Sequence, residues 1–234
     1  NVKKKFSTGH WLKLANKKIL EIRKRKKIPI MVGGTGLYFK ALTEGLVKIP
    51  NIPNKYRDQV RSLHKKIGPR KFYSKLIKLD PLIKKRLNLA DSQRLIRAFE
   101  IKLFTKRSMY EWFKNTKSNY EKKDFYKIYI DYPRDELIKQ ISFRTRQMIG
   151  EGAILEAKRF LKLKVPKNKT ASKAIGLNEI SEFLNKKIQI SELIEKISIK
   201  TRQYAKRQTT WGRGHMSDWN KIKSKSLNQF LKKI

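Results

Sequence analysis

The chain has no cysteine, which excludes disulfides and thiolate metal sites, and its three histidines, His10, His64 and His215, show no metal-ligand spacing. Long hydrophobic runs are missing too. Nothing approaches the roughly 20 apolar residues that span a bilayer, and the N-terminal residues carry no secretory apolar stretch. A soluble, cytoplasmic protein without structural zinc is therefore expected. Acidic residues are scarce: Asp and Glu number 19 against 59 Lys and Arg, a formal net charge of +40 in 234 residues. The excess lies along the whole chain rather than in one arm, so a polyanion is the natural partner. Part of the lysine content also fits AT-rich coding sequence, since Ile and Asn are abundant as well, and a merely solvated basic surface stays open as a reading. Hydrophobic content of 39% is enough for a buried core.

Residues Ile28 to Leu42, IPIMVGGTGLYFKAL, run from an apolar stretch through Gly33, Gly34, Thr35 and Gly36 into a helix-compatible segment. The pattern predicts a strand, a tight turn and a helix start, with backbone N–H groups and the Thr35 hydroxyl at the carboxyl end of a parallel strand. It is not a phosphate loop of the Gly-Lys-Ser/Thr type, because Leu37, Tyr38 and Phe39 separate Gly36 from Lys40. A packing turn, in which small residues let a helix approach closely, is the competing reading.

Elsewhere the periodicity is mostly helical. Trp11, Ala15, Ile19 and Ile22 share one stripe, and the cations Arg23 to Lys27 suit the end of that helix. Pro50 and Pro53 mark a lobe boundary, and the stretch 54–113 reads as a helical insertion with breaks at Gly68-Pro69 and Asp80-Pro81. Phe125 to Ile130 alternates as a strand, and Pro133 opens a further helix. Helices are then expected over about Ile154 to Leu163, Leu177 to Leu184 and Ile190 to Thr210.

Three helical segments carry candidate chemistry. Asp91 to Glu100 starts on an N-cap and sets Gln93, Arg94 and Arg97 on neighbouring turns, a guanidinium-rich face suited to RNA or, equally, to pairing with nearby acids. Arg202, Lys206, Thr209 and Arg213 form a polar stripe opposite an apolar one, which suits phosphates or plain solvent. Arg144, with Arg146 and Gln147, sits on a helix beside the sheet, where a cation could neutralise a departing phosphate.

The stretches PIMVGGTGLYFKALTEGL, DSQRLIRAFEI, RTRQMIGEGAILEA and TRQYAKRQTTW, in that order, resemble the motifs of the tRNA dimethylallyltransferase family. The resemblance implies an α/β fold: a P-loop NTPase-like parallel-sheet core, incomplete at the N-terminus, with an all-helical insertion domain. It divides the chain into core residues 1–49, insertion 50–118, and core with C-terminal helices 119–234. It further implies a monomer that clamps a tRNA anticodon stem-loop and flips out an adenosine. A dimethylallyl group then passes from dimethylallyl diphosphate to N6 of the adenosine on the 3′ side of the anticodon, with Mg²⁺ helping the diphosphate to leave. By the family pattern Thr35 contacts the target nucleotide and Arg144 assists the diphosphate. Arg57 and the run Gln93, Arg94, Leu95, Ile96 and Arg97 contact RNA, as does Lys173, Ala174, Ile175, Gly176, Leu177 and Asn178.

The sequence also departs from that pattern. The family's G-x-x-x-x-G-K-[ST] loop and the aspartate that serves as general base are not in this sequence and would lie upstream of Asn1, so an N-terminally truncated form is expected, one that alone holds diphosphate poorly. No cofactor-binding or metal-binding residue is assigned. Lys173 and Asn178 stand where the family often has arginines, and Ala153 where it has leucine. Two other readings stay open: a non-catalytic RNA-binding remnant, and an adenylate prenyltransferase acting on free nucleotides.

Overall fold

The computed structural model describes residues 2–3, 6–167 and 169–232. They fall into two compact units, one of residues 1–39 and 122–234, the other of residues 40–121.

The first unit opens with α1 (Thr8–Lys24), capped by the Ser7 hydroxyl, which accepts the His10 N–H at 3.2 Å. Residues 28–32 belong to no strand or helix, and Ile28, Ile30 and Val32 are 86%, 83% and 87% exposed. This corrects the expected strand. An apolar run becomes a strand only beside a hydrogen-bonding neighbour, and among the described residues none lies there. Helix α2 (Gly36–Thr43) follows the glycine turn. After the second unit the chain returns in β1 (Ile128–Asp131), shorter and later than the alternation at Phe125 to Ile130 predicts. Then come α6 (Arg134–Met148), a π-helical turn (Ile149–Ala153) and α7 (Ile154–Lys162). Next are α8 (Leu177–Leu184), α9 (Ile190–His215), β2 (Asn220–Lys223) and α10 (Leu227–Leu231). The sheet consists of β1 and β2 in parallel, with Ile128 opposite Asn220 and Asp131 opposite Lys223. Parallel neighbours require a long crossover, and α6 to α9 provide it.

Helix α9 is the spine of this unit: α6 and α8 both pack on it, and α7 packs on α8. Ala157, Ile180, Leu193 and Ile197 are buried where α7, α8 and α9 meet, flanked by Leu177 and Phe183.

The second unit is helical: α3 (Asn54–Leu79), a 3₁₀ turn (Pro81–Ile83), α4 (Ser92–Thr105) and α5 (Met109–Lys114). Gly68-Pro69 breaks α3 into two arms, as the sequence predicts. Gly68 adopts φ 74°, and the helix continues beyond it as a second arm. Both arms contribute to a core around Val60, Phe72, Leu76, Leu95 and Ile101, all at most 1% exposed. Each such side chain contributes about 1.5–3 kcal/mol relative to exposure. Asp91 caps α4 by accepting the Arg94 N–H at 3.2 Å, as its position in the sequence predicts.

Candidate functional site

The turn Gly33 to Gly36 lies against the C-terminal half of α9. The Gln208 amide sits over Gly34, and the Trp211 indole over Gly36 so closely that a Cβ there would fall within the ring. At the next residue of α9, Gly212 allows a similarly close approach to the ring of Tyr129 on β1. The motif TRQYAKRQTTW thus forms the backing on which GGTG is laid. Aromatic pairs extend the contact: Trp211 stacks on His215 with centroids 4.0 Å apart, Trp11 on Tyr38 at 4.3 Å, and Phe39 meets Trp219 edge-on at 5.4 Å. Such pairs add about 0.5–1.5 kcal/mol each beyond the area they bury.

Thr35 stands at the head of α2, where its carbonyl accepts the Tyr38 N–H at 2.9 Å. It is half-buried, and its hydroxyl makes no hydrogen bond among the described residues. Arg144 is exposed on α6 and has no acidic partner among the described residues. Its neighbour Thr145 is buried and donates its hydroxyl to the Ile141 carbonyl at 2.8 Å, so the packed face runs through Ile141 and Thr145 and leaves Arg144 beside it. The structure joins Thr35 and Arg144 by no direct bond. It joins their elements through α9, which backs both the turn and α6.

The segment 173–178 divides. Lys173, Ala174, Ile175 and Asn178 are exposed, whereas Gly176 is buried and Leu177 packs on the α7/α8/α9 core. Gly176 adopts φ 103°, a conformation that favours glycine, and donates its N–H to Glu179 Oε2 at 3.0 Å. Glu179 is buried, and its other oxygen is bound by the Lys200 ammonium of α9. Burial pushes the Glu179 carboxyl upward, but the Lys200 hydrogen bond and the backbone N–H groups outweigh it and hold the group below the usual carboxylate range.

On α4 the five consecutive residues read as one RNA-contacting patch do not share a face, because each step along a helix turns by about 100°. Leu95 is 0% exposed, so its side chain belongs to the core, and Ile96 packs partly against that core. Gln93 and Arg94 are exposed, Arg94 pairing with Asp91 at 3.0 Å. Arg97 is bound at 3.3 Å to the buried Glu100, which Arg61 approaches at 3.5 Å. Arg57 fastens the chain entering α3, donating its Nε to the Ile52 carbonyl at 3.0 Å. Among the described residues no cluster of three His, Cys, Asp or Glu side chains could hold a metal, and no helix is long and apolar enough to cross a membrane.

A family model described as IPP transferase matches residues 1–215. The chain belongs to the IPP transferase family. Among relatives, tRNA dimethylallyltransferase of Pelagibacter ubique (strain HTCC1062) is 52% identical over all 234 residues, which span 75% of its own length. The protein of the same name from Rickettsia massiliae (strain Mtu5) is 42% identical over 226 residues, 96% of this chain and 61% of that one. Solved members of the IPP transferase family match as well. A eukaryotic dimethylallyltransferase described as acting on tRNA gives a TM-score of 0.77 at 25% identity, covering 97% of this chain and 59% of that one. The full-length tRNA isopentenylpyrophosphate transferase of Bacillus halodurans gives 0.60 at 29% identity, covering 95% and 69%.

Gln208, Trp211, Tyr129, Glu179 and Glu100 are absent from the residues singled out by spacing. For Glu100 a signal existed, an acid three residues beyond Arg97 in a strongly basic chain. For Gln208 and Trp211 the only signal was membership of the last motif.

Proposed function

We propose that this chain acts in the transfer of a dimethylallyl group from dimethylallyl diphosphate to N6 of the adenosine on the 3′ side of a tRNA anticodon. Identity of 52% along all 234 residues to a tRNA dimethylallyltransferase, 75% of whose length they span, is the observation that carries this reading. In the reaction the allylic C–O bond breaks, a C–N bond forms at N6, diphosphate departs and the amine loses a proton.

Charge develops on the diphosphate as it leaves, and Arg144, exposed and without an acidic partner among the described residues, is the group assigned to neutralise it. Thr35, at the head of α2 with its hydroxyl unbonded among the described residues, is assigned to the target nucleotide. Its position is fixed by the α9 packing, so the hydroxyl is preorganised. The exposed members of the other assigned segments, Gln93, Arg94, Lys173, Ala174, Ile175 and Asn178, lie on surfaces open to RNA, with Arg57 and Arg97 braced by neighbouring groups. The parallel pair β1 and β2 with α6 and α9 is read as part of a P-loop NTPase-like core, and the helical unit as the insertion that clamps the anticodon arm. Mg²⁺, implied by the family resemblance, finds no carboxylate cluster among the described residues.

The test uses the protein expressed from its complete gene, radiolabelled dimethylallyl diphosphate and an unmodified anticodon stem-loop. Transfer to the RNA adenosine is expected, with kcat falling at least tenfold in Arg144→Ala. Transfer to free adenine nucleotides at equal or better kcat/KM would overturn the tRNA reading.

A further inference from the structure

The helical unit contains a groove that none of the functional assignments above uses. The two arms of α3 diverge at Gly68, and α4 bridges them, leaving a cavity of about 500 Å³. Val60 and Phe99 close its floor, and Leu63, Leu79 and Leu103 line its sides. Leu79 is 38% exposed, apolar surface that nothing in the unit covers. Lys66 comes from the first arm and Lys75 from the second, so an ammonium group stands on each α3 arm, and neither has an acidic partner among the described residues. Gln59 and Ser62 add an amide and a hydroxyl on the first arm.

This combination selects an occupant. An apolar lining between two unpaired cations complements an amphiphilic anion with one flat, weakly polar part and a negative charge on either side of it. A nucleotide unstacked from an RNA loop has that form: its base enters the apolar space, its two flanking phosphates meet the lysines, and an amide and a hydroxyl can bond its edge. A five-carbon prenyl chain would leave most of the volume unfilled and would carry charge at one end only. We propose that the groove between the α3 arms receives an unstacked nucleotide of the substrate RNA, distinct from the adenosine that is modified, with Lys66 and Lys75 on its phosphates. The inference rests on the RNA-substrate reading above.

The test places 2-aminopurine singly at each loop position of an anticodon stem-loop and follows its fluorescence and the binding affinity across a salt series. One position is expected to report transfer into an apolar site. Leu79→Trp, which fills the groove from an exposed position, should abolish that signal, weaken binding about tenfold and, by unseating the flanking phosphates, lower the salt slope. Lys66→Ala with Lys75→Ala should lower the slope by about 1.4, at roughly 0.7 per single-strand phosphate contact. Lys84→Ala, also exposed in the helical unit but outside the groove, should leave the signal intact, and thermal unfolding of each variant checks its fold. A 2-aminopurine signal indifferent to Leu79→Trp would overturn the proposal and reduce the lysines to diffuse surface charge. Displacement of the signal by dimethylallyl diphosphate alone would assign the groove to the prenyl donor instead. RNA that fails to bind the unaltered protein would remove the RNA-substrate reading itself, a result separable from loss of the groove signal in a protein that still binds.

Discussion

Gly36 shows how one missing side chain positions another residue's chemistry. Because the Trp211 ring occupies the space of a Cβ, Gly36→Ala must displace either the indole or the turn that carries Thr35. The rigid ring makes this more costly than the same change at Gly34, where the far end of the flexible Gln208 side chain is the obstacle. Gly36→Ala is expected to destabilise the protein by about 1–3 kcal/mol, in the range of overpacked interiors. Combining it with Trp211→Leu should recover part of the loss in a double-mutant cycle of unfolding free energies. Strict additivity would show that the two residues do not bear on each other. From sequence, the glycines were legible as a turn with a helix behind it, but not what they face. Trp211 lies 175 positions away by number, and no local periodicity reports a contact of that range.

At the scale of elements, helix existence was largely legible because apolar stripes and caps act within a turn or two: α8 spans Leu177–Leu184 as expected, and Asp91 caps α4. Strands were less so. The run at 28–32 has the composition of a buried strand without a partner beside it among the described residues, whereas β2, with the sequence NKIK, has a partner but almost no apolar signal, since Ile222 alone is buried. The join of α8 to α9 through Glu179 and Lys200 yields a pH expectation. Since the folded protein holds the Glu179 carboxyl below its unfolded value, the pair's stabilisation is fully present above the unfolded carboxylate pKa and is lost as pH falls through the folded one. Glu179→Gln should therefore lower the melting temperature at neutral pH, and the gap to the unaltered protein should close in acid. A gap independent of pH would assign Glu179's contribution to its cap on Gly176 rather than to its charge.

At the scale of the whole molecule, the charge of +40 makes binding to any polyanion steeply salt-dependent, but not every cation contributes equally. Arg97 is partly committed to Glu100. If it also meets a phosphate, Arg97→Ala should weaken anticodon stem-loop binding and reduce the slope of log affinity against log salt by about 0.7–0.9. An unchanged slope would make it a brace for Glu100 only. Helix α9 sets a further condition on that interface. Lys200, tied through Glu179 to the loop at Gly176, and Trp211, tied to the turn at Thr35, stand on one continuous helix, eleven residues or about 16 Å apart at 1.5 Å per residue. Two surfaces assigned to the same RNA are therefore measured off against a single ruler. Its graduations are single residues, so their separation and relative bearing change only in steps of about 1.5 Å and 100°.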